Sequence, residues 1–128
     1  MPALSSVPPL LLVALGGGLG ASLRYLVGQW VVANIGVGLP IGTWTVNILG
    51  GFAMGLLAGW LARTGDGEEL RLLLGVGVLG GFTTFSAFSL EVFSMINRGD
   101  IGLAGAYAVS SVAGSVLALM TGVFVSRP

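Results

Sequence analysis

The chain alternates between long apolar stretches and short polar ones, and this pattern predicts four helices of similar length. The apolar stretches occupy about residues 10–33, 43–61, 70–96 and 101–125. Each is close to or above the roughly 20 residues that a helix needs to cross a bilayer. Polar or helix-breaking segments separate them at residues 34–40, 63–69 and 97–100. The pattern therefore predicts an all-α membrane protein in which residues 1–128 form a single four-helix transmembrane domain.

The third apolar stretch contains residues that an uninterrupted membrane helix does not favour. Gly80 and Gly81 are followed directly by hydroxyl and phenyl side chains, namely Phe82, Thr83, Thr84, Phe85, Ser86, Phe88 and Ser89. In a bilayer, a backbone break is tolerated only where the freed polar groups are buried in protein or line a watery cavity. The sequence therefore predicts that the third helix is broken near its middle, at a binding or conduction site.

Further polar side chains occur at membrane depth in the second and fourth stretches. Asn47 lies in the first two turns of the second stretch, and Ser110 lies in the fourth. Beside Ser110, a polar stripe with a spacing of four residues consists of Tyr107, Ser111 and Ser115. An isolated serine usually donates to a carbonyl of its own helix, and that alternative stays open for each hydroxyl. A functional stripe is an equal alternative, because intramembrane polar residues are costly unless they are used.

The polar stripe and its expected neighbours provide hydrogen-bond donors and contain no acidic residue. Phe85 and Phe88 are about one helical turn apart and are therefore expected on the same side of their helix. A phenyl ring carries partial positive charge at its edge, so ring edges combined with amide and hydroxyl donors suit an anion. Simple packing is the alternative role for each phenylalanine taken alone.

Two charged residues, Arg24 and Glu91, lie well inside apolar stretches. Either side chain can extend towards a membrane interface, which is the usual arrangement near helix ends. Arg24 is two-thirds of the way along its stretch, so it can reach a vestibule and raise the local anion concentration there. The sequence identifies no partner for Glu91.

Composition supports the bilayer as the solvent of this chain and narrows its chemistry. Hydrophobic residues make up 55% of the 128 residues and charged residues only 8%, with a mean hydropathy of +1.00. Cysteine, histidine and lysine are absent. Thiol nucleophiles, the usual imidazole base and a basic nucleic-acid footprint are therefore missing. We expect a protein that is not an enzyme and binds no nucleic acid.

Basic residues give the chain only a weak orientation bias. With four crossings, both termini and the loop at residues 63–69 lie on one side, together with Arg63, Arg71 and Arg127, whereas Arg98 lies on the other. Orientation follows the asymmetry of basic residues near helix ends. The small difference is compatible with one orientation held by a small margin and with insertion in both orientations.

Three motifs follow one another along the chain in a characteristic order. They are GGLGASLRY at residues 17–25, GTWTVN at 42–47 followed by Gly50, and GGFTTFSAFS at 80–89 followed by Glu91. In these motifs the chain resembles the Fluc (CrcB) fluoride channels of microbes over essentially its whole length. The resemblance implies a fluoride-selective passive channel that exports cytoplasmic fluoride and confers fluoride resistance. It also implies a multi-pass protein of the cell (inner or plasma) membrane, surrounded by lipid and assembled as an antiparallel, dual-topology homodimer with two pores.

The same resemblance assigns roles to individual residues. Arg24 would lie in a vestibule, and the fluoride pore would be lined by Asn47, Phe85, Phe88, Tyr107, Ser111 and Ser115. A structural sodium ion on the dimer axis would be held by the main-chain carbonyls of Gly80 and Thr83. Further candidates near the pore are Thr84, Ser86, Ser89, Glu91 and Ser110.

Two other functions agree with part of the pattern. A small dual-topology multidrug-type exporter has the same size, but it depends on a membrane-embedded glutamate in its first helix. The first stretch of this chain contains Arg24 and no acid. A non-conducting membrane scaffold would use rows of small residues such as Gly51, Gly55 and Gly59, which let helices approach closely. A scaffold gives no reason for the polar stripe.

Overall fold

The computed structural model describes residues 2–65 and 67–127, and all regular structure in these residues is helical. Asp66, in the predicted polar loop, lies outside the described residues, as do the two terminal residues. A short helix α1 (Pro2–Ser5) precedes α2 (Pro9–Asn34) and α3 (Ile41–Thr64). The last helix, α7 (Ile101–Ser126), comes after a composite third region.

The third region, Glu68–Asn97, is built from several helical segments. The short helix α4 (Glu68–Leu70) continues into a π-helix (Arg71–Leu79) and then into α5 (Gly80–Phe82). Thr83 has extended backbone with φ −86° and ψ 157°, and α6 (Ser86–Asn97) begins after it. We call residues 83–85 the interruption. The helix is thus interrupted for three residues between α5 and α6, with extended backbone at Thr83 and a return to helical dihedrals at Phe85.

Within residues 2–65 and 67–127, four helical regions are long and apolar enough to cross a membrane, with 26, 24, 30 and 26 residues. At about 1.5 Å per residue, each exceeds the ~30 Å thickness of the hydrocarbon core. Large apolar side chains on them are exposed, for example those of Leu10, Leu26 and Phe124. The prediction of an all-helical protein with four long apolar helices is therefore confirmed, and these helices are compatible with a membrane protein. The bounds of these regions differ from the sequence-based limits by three residues at most.

The most extensive contact between helices joins α3 to α7. Small residues make this contact possible: a Cβ added at Gly51 would lie 2.7 Å from the carbonyl oxygen of Ser115. A Cβ at Gly55 would overlap the carbonyl oxygen of Leu119, and one at Gly122 would meet the α3 backbone. In lipid, such close backbone packing replaces the hydrophobic effect as the source of helix association. The α3–α7 pair is therefore a rigid support for the side chains that it carries.

A second close contact places α2 against the π-helix and α5. A Cβ at Gly16 would lie 2.9 Å from the Cα of Gly77, and a Cβ at Gly20 would lie 2.8 Å from the backbone nitrogen of Phe82. Between α6 and α7 the buried side chains are larger, and they form a small core of Phe88, Met95, Ala104 and Tyr107. The interruption therefore connects α5, which packs on α2, with α6, which packs on α7.

Replacing Gly55 by alanine is expected to lower the unfolding temperature, because the added methyl group would overlap the Leu119 carbonyl oxygen on α7. Overpacking of this kind costs about 1–3 kcal/mol, whereas alanine is ~1 kcal/mol better than glycine in an open helix position. The matched control is Gly105→Ala on α7, where nothing lies within 4 Å of the added Cβ. Thermal unfolding in one detergent compares the two variants. An unchanged or raised unfolding temperature for Gly55→Ala would contradict the described packing.

Candidate functional site

A groove of about 380 Å³ lies between α3, the interruption and α7. Seven of the residues singled out from the sequence line it, namely Asn47, Thr83, Thr84, Phe85, Phe88, Ser111 and Ser115. Much of the remaining wall is apolar and is formed by Met54, Leu79, Val112, Val116 and Leu119. The structure thus brings residues from distant parts of the chain into one intramembrane groove that combines hydroxyls, one amide and two phenyl rings.

Aromatic rings form a continuous row that begins in the groove. The centroids of the Phe85 and Phe88 rings are 5.4 Å apart with an angle of 38° between the planes. The Phe88 and Tyr107 rings are next in the row, at 5.2 Å and 42°. Tilted pairs agree with the charge distribution of aromatic rings, which disfavours face-to-face stacking. Phe88 is buried, whereas Phe85 is 76% exposed in the single chain, so one end of the row is open.

Ser111 is a buried polar residue on the groove wall whose hydroxyl has no partner within the described part of the chain. Its side chain is only 5% exposed, and among the described residues its Oγ atom has no hydrogen-bond partner. Buried hydroxyls are normally paired, and an unpaired one costs about 1–3 kcal/mol. Because Ser111 lines the groove, its hydroxyl is suitably placed to donate to a ligand there.

Side chains from α2 and α3 bind the backbone on both sides of Thr83. Asn47 Nδ2 donates to the Thr84 carbonyl oxygen at 3.0 Å, and Asn47 Oδ1 accepts from the Thr84 N–H at 2.8 Å. Arg24 Nε donates to the carbonyl oxygen of Gly81 at 3.1 Å. Hydrogen bonds from two neighbouring helices therefore hold the end of α5 and the interruption that follows it.

Glu91 lies outside the groove and accepts two side-chain hydrogen bonds. Thr43 Oγ1 donates to its Oε1 at 2.6 Å, and the Tyr107 hydroxyl donates to its Oε2 at 2.9 Å. Thr43 and Glu91 also line a second cavity of about 420 Å³, together with Arg98. Sequence reasoning missed Thr43, although it lies four residues before Asn47. That spacing places both on one face of α3 and could have identified it.

The remaining predicted hydroxyls lie outside the groove lining and have partners. Ser89 Oγ donates to the Phe85 carbonyl oxygen of the preceding turn at 2.8 Å. Ser110 Oγ accepts from Trp44 Nε1 at 3.1 Å and donates to the Tyr107 carbonyl oxygen at 3.2 Å. Ser86 Oγ lies 3.3 Å from the hydroxyl of Thr84. The structure therefore gives Ser89 the alternative role named above, a hydrogen bond to a nearby main-chain carbonyl instead of a place on the groove wall.

The four apolar helical regions found within the described residues, with a groove between them that has polar and apolar lining, indicate a multi-pass membrane protein. The family model described as CrcB-like protein, Camphor Resistance (CrcB), matches residues 11–123. The chain belongs to this family, and the resemblance found in its motifs is thereby confirmed.

Relatives with high identity carry one and the same name. The fluoride-specific ion channel FluC of Novosphingobium aromaticivorans is 55% identical over 117 residues, which cover 90% of this chain and 93% of the relative. The protein of that name from Phenylobacterium zucineum is 58% identical over 120 residues, with coverage of 92% and 94%. In Hyphomonas neptunium, the corresponding protein is 56% identical over 119 residues, with coverage of 91% and 94%.

Replacing Tyr107 by phenylalanine is expected to lower the free energy of unfolding by about 1–3 kcal/mol, because Glu91 Oε2 loses its donor in a part-buried position. Ser94→Ala is the control on the same helix as Glu91, since Ser94 Oγ donates only to the Leu90 carbonyl oxygen of the preceding turn. Denaturant unfolding in mixed micelles gives both values. Equally small losses in the two variants would contradict the role of the Tyr107–Glu91 bond.

Proposed function

We propose that the protein is a fluoride-specific passive ion channel that exports cytoplasmic fluoride and confers fluoride resistance. The observation that carries this proposal is the groove, where the unpaired Ser111 hydroxyl and the rings of Phe85 and Phe88 meet. Family membership and the name shared by relatives above 50% identity support the same function. The protein would act in the cell membrane as a transport protein and not as an enzyme.

The groove offers what a pore for fluoride requires. Fluoride is small and strongly hydrated, so a pore must replace its water with other donors. Ser111 and Ser115 supply hydroxyls, and the edges of Phe85 and Phe88 supply partial positive charge along the drier part of the wall. The described lining contains no carboxylate that would repel the anion. Chloride is larger and a weaker acceptor, so it gains less from the same donors.

Arg24 is suited to attract fluoride to the interruption. Its Nε atom is bound to the carbonyl oxygen of Gly81, which lies two residues before the groove-lining Thr83 in the chain. A fixed positive charge in a low-dielectric surrounding raises the local concentration of anions. Arg24 would therefore serve as a vestibule residue while it also binds the backbone.

The assembly that we propose is an antiparallel, dual-topology homodimer with two pores. In the single chain, the ring of Phe85 on the groove wall is largely exposed. An anion in an open groove would face lipid, so a second copy that covers the groove would complete one pore in each protomer. The weak asymmetry of the arginines supports insertion of the two copies in opposite orientations.

The carbonyls of Gly80 and Thr83 fit the proposed structural sodium ion. The N–H groups four residues later are engaged elsewhere: Thr84 donates to Asn47 Oδ1, and Ala87 donates to Thr84 Oγ1 at 3.2 Å. Both carbonyl oxygens therefore lack their usual helix hydrogen bonds and are available as hard ligands. Among the described residues, no cluster of three or more acidic, histidine or cysteine residues offers an alternative metal site. Two carbonyls from each protomer would surround sodium, which would balance their partial negative charge.

Liposomes that contain the purified protein are expected to release fluoride and retain chloride. Phe85→Ile and Phe88→Ile should each slow fluoride efflux at least about tenfold, or ~1.4 kcal/mol in the barrier, because isoleucine has no ring edge. Phe93→Ile is the matched control, since Phe93 is exposed on the same helix and does not line the groove. A fluoride electrode measures the efflux. Equal leakage of both anions would contradict selectivity, and unchanged efflux in both groove variants would contradict the role of the rings.

Dual topology predicts that a single introduced cysteine is accessible from both sides of the membrane. The natural chain has no cysteine, so Glu69→Cys and Asn97→Cys, at opposite ends of the third region, each give a unique label. In sealed vesicles, about half of either cysteine should react with a membrane-impermeant reagent, and all of it after permeabilisation. Complete labelling of one variant with none of the other would establish a fixed orientation instead.

A further inference from the structure

We propose that Asn47 is a positioning residue, which keeps the interruption open by binding the Thr84 N–H that would otherwise close the helix onto the Gly80 carbonyl. This inference rests on the proposed function, in which the Gly80 carbonyl contributes to sodium binding. It assigns Asn47 a role on the protein backbone instead of the direct contact with fluoride that the sequence suggested.

The contact between Asn47 and Thr84 resembles the pairing of two peptide groups. The carboxamide of Asn47 donates to the Thr84 carbonyl oxygen at 3.0 Å and accepts from the Thr84 N–H at 2.8 Å. The opposite orientation of the amide would bring donor against donor and acceptor against acceptor, so the two contacts fix the orientation that is described. Both polar atoms of the Asn47 side chain are thus bound to one residue of the interruption.

These two bonds replace the helix bonds that Thr84 would otherwise form. In a continuous α-helix, the Thr84 N–H would donate to Gly80 and the Thr84 carbonyl would accept from Phe88. With both groups bound to Asn47, the Gly80 carbonyl loses its donor. The Thr84 hydroxyl in turn accepts from the Ala87 N–H at 3.2 Å, and this contact lies at the start of α6. Binding of the Thr84 N–H to Asn47 therefore leaves the Gly80 carbonyl without its helix donor. The Thr84 hydroxyl meanwhile binds the first turn of α6.

The support of Asn47 is rigid because α3 is closely packed on α7. Gly51 lies one turn after Asn47, and a Cβ there would be 2.7 Å from the Ser115 carbonyl oxygen. Gly50 leaves room for the interruption itself, since a Cβ at this position would overlap the side chain of Thr83. The helix that carries Asn47 thus fixes the place at which the third region is interrupted. Asparagine suits this position because its short side chain carries both a donor and an acceptor without a charge.

The experiment uses two readouts that do not require fluoride conduction. The first is the ¹³Cα chemical shift of Thr83 in threonine-labelled protein, which separates extended from helical backbone. The second is the rise in unfolding temperature with sodium concentration, which reports sodium affinity by mass action. Asn47→Leu is expected to move the Thr83 shift towards helical values and to weaken the apparent sodium affinity at least about tenfold. Asn34→Leu is the matched control, because the Asn34 amide donates only to the Trp30 carbonyl oxygen at the exposed end of α2.

Asn47→Asp provides a second variant if the leucine variant does not fold. Aspartate loses the donor to the Thr84 carbonyl but retains an oxygen that accepts from the Thr84 N–H, the contact on which the proposal rests, so the extended Thr83 shift should persist. Loss of the extended shift in this variant would overturn the proposal. An extended Thr83 and an unchanged sodium response in Asn47→Leu, together with lost fluoride efflux, would also overturn it and would make Asn47 a direct ligand of fluoride.

The outcome for Asn47 can be separated from the outcome for the channel. A parent protein without any sodium response would refute the sodium site of the proposed function, and the Thr83 shift would still decide the role of Asn47. Conversely, a parent protein that leaks chloride as fast as fluoride would refute the proposed selectivity without affecting either readout.

Discussion

The structure depends on one constraint of the bilayer, which is that every backbone N–H and C=O group needs a partner within the protein. The interruption at residues 83–85 breaks this rule locally, because backbone that leaves the helix loses its regular hydrogen bonds. Asn47 and Arg24 compensate for part of that loss from two different helices. The interruption can therefore exist only where α2 and α3 come close enough to reach it.

That closeness depends on residues that have no chemistry of their own. Gly16 and Gly20 allow α2 to lie against the π-helix and α5, while Gly51 and Gly55 allow α3 to lie against α7. Larger residues at these positions would move the helices apart and would take Arg24 and Asn47 out of reach of the interruption. The polar residues thus depend on the small residues, because only closely packed helices bring Arg24 and Asn47 within hydrogen-bond distance of the third region.

The four helices could be predicted because hydropathy over some 20 residues is a strong signal and short polar segments limit each helix. Four of residues 80–89, which the sequence singled out by their composition, line the groove, as do Ser111 and Ser115 of the polar stripe but not Tyr107. The sequence could not predict the hydrogen-bond partners of these polar residues. Asn47 and Thr84 are 37 residues apart, and no local pattern links them. Ser89 and Ser111 are alike as serines, yet one is bound to a nearby carbonyl and the other has no partner among the described residues.

The π-helix at Arg71–Leu79 was equally invisible in the sequence, and it determines the angular phase of α5 and of the interruption. Hydrogen bonds in a π-helix span one residue more than those of an α-helix. If the same residues adopted α-helical bonds, the chain beyond them would turn about the helix axis by an angle on the order of 100°. Gly80 and Thr83 would then face a different neighbour. The nine residues of this π-helix therefore set the direction in which the following residues face about the helix axis. In this direction the interruption faces the side chains that bind it.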